Sequence, residues 1–207
     1  MIESALSSHD LIASAVDAIA ACGYVVAPHF VDDATVAALR LRTLELDADG
    51  LFSPAAVGRG STRLRRVDVR GDRIRWLDPN SPDESEQSLY TKLEALRVAV
   101  NRELQLGLFE LEAHYAIYPT GRGYARHLDR FRDDDARVLS CVLYLNDDWQ
   151  PGDGGALRLH LHDGDALEIP PAGGTLVAFL SQAFDHEVLP ARRTRIALTG
   201  WFRRRAP

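Results

Sequence analysis

Two clusters of proline and glycine, Pro151-Gly152-Asp153-Gly154-Gly155 and Pro170-Pro171-Ala172-Gly173-Gly174, cut the second half of this chain into short pieces. Proline lacks a donor for a β-ladder and glycine loses much conformational freedom on ordering, so both punctuate strands rather than fill them. From about Leu111 onward the pieces between such breaks are rich in Val, Leu, Tyr and Phe, residues that suit a pleated, half-buried surface. Several short strands at regular spacing predict an antiparallel sandwich or barrel.

The first half reads differently. Leu11, Ile12, Ala15, Val16 and Ile19 recur with helical spacing, and Gly23 is placed to end that helix in the left-handed region. Tyr24-Val25-Val26 is a short run of strand formers. A second helix is expected after Asp32 or Asp33, with Val36, Leu39, Leu41 and Leu44 as its apolar residues. A third follows Ser81-Pro82-Asp83 and carries Leu89, Leu93, Leu96, Val100 and Leu104 inward. Helices first and a β-rich core after them give an α+β class. No repeat, low-complexity stretch or linker divides residues 1–207, so one domain is expected.

Composition narrows the function classes. With 46% hydrophobic residues the chain can bury a sizeable core, and a net charge of −6 weighs against nucleic acid as the main partner. Arg203-Arg204-Arg205 is read as a solvated basic tail. No apolar run approaches the roughly 20 residues of a membrane span, and Met1-Ile2-Glu3-Ser4-Ala5-Leu6 lacks the basic start of a leader. The only cysteines, Cys22 and Cys141, cannot build a disulfide framework, so a reducing, cytoplasmic setting is expected.

The chemistry-bearing residues fall within the β-rich half. In Tyr124-Ala125-Arg126-His127-Leu128-Asp129, an extended backbone turns His127 and Asp129 to the same face. His186, just before another strand, supplies a second imidazole. Two imidazoles and one carboxylate form a facial triad that leaves half of an Fe(II) coordination sphere open. On the strand after His186, Arg195, Ala197, Thr199 and Trp201 share one face, while Ile196, Leu198 and Phe202 share the other, core face. An arginine among interior strand positions is costly unless an anion pairs with it. The alternatives are pairing with a protein carboxylate, plain exposure at the strand end, or a bound dicarboxylate, which a guanidinium grips through two parallel bonds. Nine positions after a candidate metal histidine, the bound dicarboxylate is favoured, with Thr199 able to add a hydroxyl. His160-Leu161-His162 competes by spacing but sits beside a turn, and is read as facing solvent. Cys141 is read as inert packing, and Arg132-Asp133-Asp134-Asp135 as a solvated loop.

Four stretches together, residues 118–129, 141–149, 154–158 and 186–202, resemble the prolyl-hydroxylase branch of the Fe(II)/2-oxoglutarate dioxygenases. They are similar in particular to the hypoxia-inducible-factor prolyl hydroxylases and their bacterial relatives. The resemblance implies a double-stranded β-helix (jelly-roll) core with supporting N-terminal helices. Residues 1–110 would give helical support, the first strands and a substrate loop, and residues 111–207 the dioxygenase core. It implies that His127, Asp129 and His186 bind iron and that Arg195 binds the distal carboxylate of 2-oxoglutarate, joined by Tyr144. Tyr118, Thr199 and Trp201 would line that co-substrate pocket. The segment at residues 69–78 resembles one that leads into a loop over the active site, which makes Arg70, Asp72 and Trp76, with Arg137, the expected substrate contacts.

The implied cofactors are Fe(II), 2-oxoglutarate and O2, with ascorbate as a reductant. The implied partner is a protein with a target proline, a translation factor such as EF-Tu among the candidates, with succinate and CO2 released. Rival readings are the same chemistry on a small molecule such as a free amino acid, or a sensor module that binds metal and 2-oxoglutarate without turnover. Two departures stand out: a slightly shorter Thr120-Gly121-Arg122-Gly123 turn, and His114 where the relatives carry an apolar residue.

Overall fold

The computed structural model describes residues 8–56, 66, 68–129 and 136–205. The 132–135 acidic run and the N-terminal hexapeptide discussed above lie outside the described residues. Helices α1 (Ser8–Cys22), α2 (Asp33–Ala48) and α3 (Glu84–Leu104) start and stop where the local chemistry directs. Gly23, at φ +79°, closes α1 by donating to the Ile19 carbonyl oxygen at 2.9 Å. Asp32 caps α2 by accepting from Thr35 N at 2.7 Å, and Asp83 caps α3 by accepting from Ser85 N and Glu86 N.

One expectation about α2 is corrected. Its buried stripe is Val36, Leu39, Thr43 and Leu46, whereas Leu41 and Leu44 are 60% and 42% exposed. At about 100° per residue, Leu41 lies about 200° round the helix from Leu39, so both cannot face the core.

Among the described residues eleven strands, three of them interleaved with the helices, form two sheets: β1 (Tyr24–Ala27), β2 (Ser53–Pro54), β3 (Arg73–Trp76), β4 (Glu110–Tyr118), β5 (Tyr124–His127), β6 (Arg137–Tyr144), β7 (Leu157–His160), β8 (Ala166–Ile169), β9 (Leu176–Leu180), β10 (His186–Val188) and β11 (Arg195–Arg203). The larger sheet runs β1-β9-β6-β11-β4-β3-β2 and the smaller β5-β10-β7-β8. All paired neighbours are antiparallel.

Period-two alternation gives the larger sheet two buried faces. Tyr115, Ile117, Leu139, Cys141, Leu143, Ile196, Leu198 and Phe202 pack against the helices with Ile19, Leu39, Leu89 and Leu96. Their neighbours Tyr118, Val142, Tyr144, Val177, Phe179 and Ala197 form a second cluster with Leu157, Leu159, Ile169 and Val188 of the smaller sheet. The result is an α+β double-stranded β-helix, with helices on one side of the larger sheet and the inter-sheet space on the other.

The segment at residues 69–78 is a bridge between the sheets. Arg73–Trp76 is a strand of the larger sheet, while Gly71 N donates to Gly123 O and Ala125 N to Val69 O along the outer edge of β5. On its other edge β5 meets β10 closely at Gly123, where an added Cβ would run into the Val188 carbonyl oxygen. Gly123→Ala is therefore expected to cost about 1–3 kcal/mol by forcing the two strands apart. A thermal melt checks this, with a fall in Tm of a few degrees or more expected.

Candidate metal centre

His127 ends β5, and His186 begins β10 as its direct cross-strand partner. Asp129 sits two residues beyond β5 on the same side. Ligand atoms of the three side chains lie within 4.8 Å of one another, and among the described residues no other set of His, Cys, Asp or Glu comes together in this way. His127 Nε2 is 3.8 Å from Asp129 Oδ1, and His186 Nε2 is 3.5 Å from Asp129 Oδ2.

Backbone carbonyls orient both rings. His127 Nδ1 donates to Ala125 O at 2.7 Å and His186 Nδ1 to Phe184 O at 3.2 Å, which leaves each Nε2 with its lone pair turned inward. Tyr124 stacks on His127 at 3.6 Å between centroids, and Phe179 packs its ring against His186 at 4.7 Å. Burial, aided by His186 nearby, lowers the His127 imidazole to about 4, so at neutral pH it is a neutral donor. Burial works against the Asp129 charge, but His186, His127 and the Ser140 hydroxyl outweigh it and hold the carboxyl below its ordinary range. Two imidazoles with Nε2 turned inward and a carboxylate held in its charged form fit Fe(II).

Arg195 opens β11 beside this cluster and is 1% exposed. Its Nε donates to Gly155 O at 2.9 Å, and its guanidinium lies 5.2 and 5.1 Å from the Tyr118 and Tyr144 ring centroids. Among the described residues no carboxylate pairs with it, and its Nη2 has no hydrogen-bond partner. Tyr144 Oη and Trp201 Nε1 are also buried and short of a well-formed hydrogen bond, the first beside the Arg195 guanidinium and the second beside the Asp129 carboxylate. Burial raises the phenols of Tyr118 and Tyr144, the latter to about 12, so both keep a proton to donate. Tyr118, Val142, Arg195, Thr199 and Trp201 line one pocket with the triad. A buried cation with unpartnered donors around it costs several kcal/mol unless an anion completes it. These residues fit a dicarboxylate with one end at the triad and the other at Arg195.

Of the four expected substrate contacts, Arg70 is among the residues that line this pocket, and Asp72, Trp76 and Arg137 are not. Arg70 lines the same pocket, lies over the Tyr124 ring at 4.9 Å and grips buried Asp72 through bonds of 2.8 and 3.0 Å. Trp76 is 41% exposed and meets His114 edge-on. Arg137 pairs with Glu112 at 2.8 Å and stacks on Trp201 at 3.5 Å, one residue removed from the triad. His160 ends β7 with Nε2 3.2 Å from Glu187 Oε1, and Cys141 is buried with its thiol pushed up by burial.

Three contributors escaped the sequence reading. Tyr124 lay within the metal motif, where a ring three residues before His127 could have been suspected. Gly155 belongs to a glycine pair whose meaning is close approach: a Cβ there would crowd Ala191 and touch the Arg195 side chain. Ser140 had no local signal beyond its face.

His114 carries a prediction of its own. Its ring sits between Trp76 and Trp201, with Nε2 3.5 Å from Arg70 Nη2, and burial lowers it to about 4. An unfolded chain would hold this imidazole near its ordinary 6.5. The unfolded state thus binds the extra proton between those values, and the stability involved is full above about pH 6.5 and lost as pH falls towards about 4. The Tm of the metal-free protein is expected to drop across that interval. His114→Met should reduce the drop, by at most about 3 kcal/mol, and leave the share that His127 contributes over the same interval.

Residues 113–203 match the family described as the 2OG-Fe(II) oxygenase superfamily. Human Egl nine homolog 1 is 36% identical over 145 residues, which is 65% of this chain and 33% of that protein. The chain spans from 33% to 42% of the length of the human, rat and mouse Egl nine homolog 1 proteins. A crystal structure of a Pseudomonas putida prolyl-4-hydroxylase superposes with a TM-score of 0.86 at 46% identity, covering 94% of this chain and 100% of that one. A Trichoplax adhaerens prolyl hydroxylase, solved with a hypoxia inducible factor peptide fragment, gives a TM-score of 0.86 at 26% identity, covering 95% and 90%.

Proposed function

The chain belongs to the 2OG-Fe(II) oxygenase superfamily, in its prolyl hydroxylase branch, and from that premise we propose that it hydroxylates a prolyl residue of a protein substrate. The observation that carries this reading is the buried Arg195, unpaired by any carboxylate of the described residues, opening on the pocket that holds the triad.

His127, Asp129 and His186 would hold Fe(II), and Arg195, with Tyr144, would bind the distal carboxylate of 2-oxoglutarate. Tyr118, Thr199 and Trp201 would form the co-substrate wall and exclude water. Iron, 2-oxoglutarate and O2 together supply the oxidising power, giving succinate, CO2 and a hydroxyl on the substrate carbon. Ascorbate would be the reductant that keeps the iron in its Fe(II) state. Arg70, held by Asp72, would border the target residue, and exposed Trp76 and the Arg137–Trp201 stack would meet the flanking peptide.

In this reading residues 111–207 are the catalytic core, and residues 1–110 support the larger sheet and frame the mouth. The substrate is a translation factor such as EF-Tu in the cytoplasm. The net charge of −6 weighs against nucleic acid, and among the described residues no helix is long and apolar enough to cross a membrane.

The test is mass spectrometry of purified EF-Tu and of a whole extract incubated with the protein, Fe(II), 2-oxoglutarate and O2, against an Asp129→Ala control. A proline that gains one oxygen only with the wild-type protein is the expected result. Succinate formed without any newly oxidised protein would move the substrate to a small molecule.

A further inference from the structure

Of two buried hydroxyls beside the triad, Ser140 has so far appeared only as a neighbour of the Asp129 carboxylate, and Ser181 has not appeared at all. Ser140, on β6, is the cross-strand partner of Trp201. Ser181 directly follows β9, where its N–H donates to Val138 O at 3.0 Å. Both are sealed from solvent. A buried hydroxyl without a partner costs about 1–3 kcal/mol, so the contacts these two make indicate what they are for. Ser140 Oγ lies 2.7 Å from Asp129 Oδ2 and 2.9 Å from Ser181 Oγ.

Counting protons orients the pair. A carboxylate able to hold a cation is ionised and only accepts. The single Ser140 proton therefore goes to Asp129, and Ser181 must be the donor to Ser140. The three groups form a directed chain, Ser181 to Ser140 to Asp129, in which each bond polarises the next.

We propose that Ser140, backed by Ser181, is a positioning residue that fixes the Asp129 carboxylate against the metal position. The inference rests on the triad reading above. With Oδ2 tied to the serine, the carboxylate is restrained from swinging to grip the ion through both oxygens. Such a two-oxygen grip would occupy one of the places that a facial triad leaves open for co-substrate and O2.

The probe is Co(II), titrated into the metal-free full-length chain, with thermal melts of the same metal-free proteins alongside. Ser140→Ala is expected to weaken Co(II) binding by about tenfold or more, whereas Ser140→Thr, which keeps the hydroxyl, stays within about threefold of wild type. Ser181→Ala should weaken binding less. The double variant should be no worse than Ser140→Ala alone, because Ser181 acts only through Ser140.

A serine that merely fills space would lower Tm and leave the affinity unchanged. Wild-type affinity in Ser140→Ala, or additive losses in the double variant, would overturn the proposal. Should Ser140→Ala fail to fold, equal affinity in Ser181→Ala and wild type would overturn it as well. A wild-type chain that takes up no Co(II) overturns the triad reading instead, so the two failures are distinguishable.

Discussion

Asp129→Ala is expected to abolish turnover, a loss of about a thousandfold or more, while leaving the chain folded. Asp129 is the one carboxylate of the cluster and its one source of negative charge. Without it, two imidazoles alone would face a dication, and a dianionic co-substrate would have no properly held metal to meet. The structural cost is smaller. The Ser140 hydroxyl loses its acceptor, and the variant leaves a small gap beside Ser140, effects of about 1–3 kcal/mol. Metal titration and circular dichroism together check this: Fe(II) affinity should collapse while the metal-free melting curve shifts by only several degrees. Retained Fe(II) binding would remove Asp129 from the metal site.

The second large effect is expected at Arg195. Truncating one partner of a buried charge pair costs about 2–5 kcal/mol, so Arg195→Ala should raise KM for 2-oxoglutarate by about thirtyfold to a few thousandfold. Metal affinity without co-substrate should barely change, which separates this variant from Asp129→Ala. Arg195→Lys keeps the charge but loses the paired donors of the guanidinium, so an intermediate KM is expected.

Stability adds a readout of opposite sign. In the absence of an anion Arg195 is a buried cation with Nη2 unpartnered, so an apolar replacement of similar size, Arg195→Met, should leave Tm unchanged or raise it. A marked destabilisation by Arg195→Met would mean that the arginine is there to support the fold. Steady-state kinetics and thermal melts of the three Arg195 variants supply both readouts.

These residues were legible because a strand has a short, rigid period. His127 and Asp129 two apart, and Arg195, Thr199 and Trp201 on one face of β11, follow from alternation alone. The capping aspartates Asp32 and Asp83 were legible for a similar reason, since a cap acts within a few residues. Leu41 and Leu44 misled because helical spacing admits more than one stripe, and Thr43 took the buried position that hydrophobicity would assign to leucine.

What escaped depends on distant partners. Nothing local says that β3 pairs with β4, that residues 69–71 run along the edge of β5, or that Gly155 offers its carbonyl to Arg195. The Ser181–Ser140–Asp129 chain joins three segments, with Ser140 11 residues from Asp129 and 41 from Ser181, and no local spacing signals that they meet.

The most direct test of the central claim is the fate of labelled oxygen. With 18O2, Fe(II), 2-oxoglutarate and a protein substrate, one labelled atom is expected in succinate and one in a hydroxylated prolyl residue, in equal amounts and only with the triad intact. Binding of 2-oxoglutarate with no labelled succinate would contradict the account, leaving a protein that holds its ligand without turning it over.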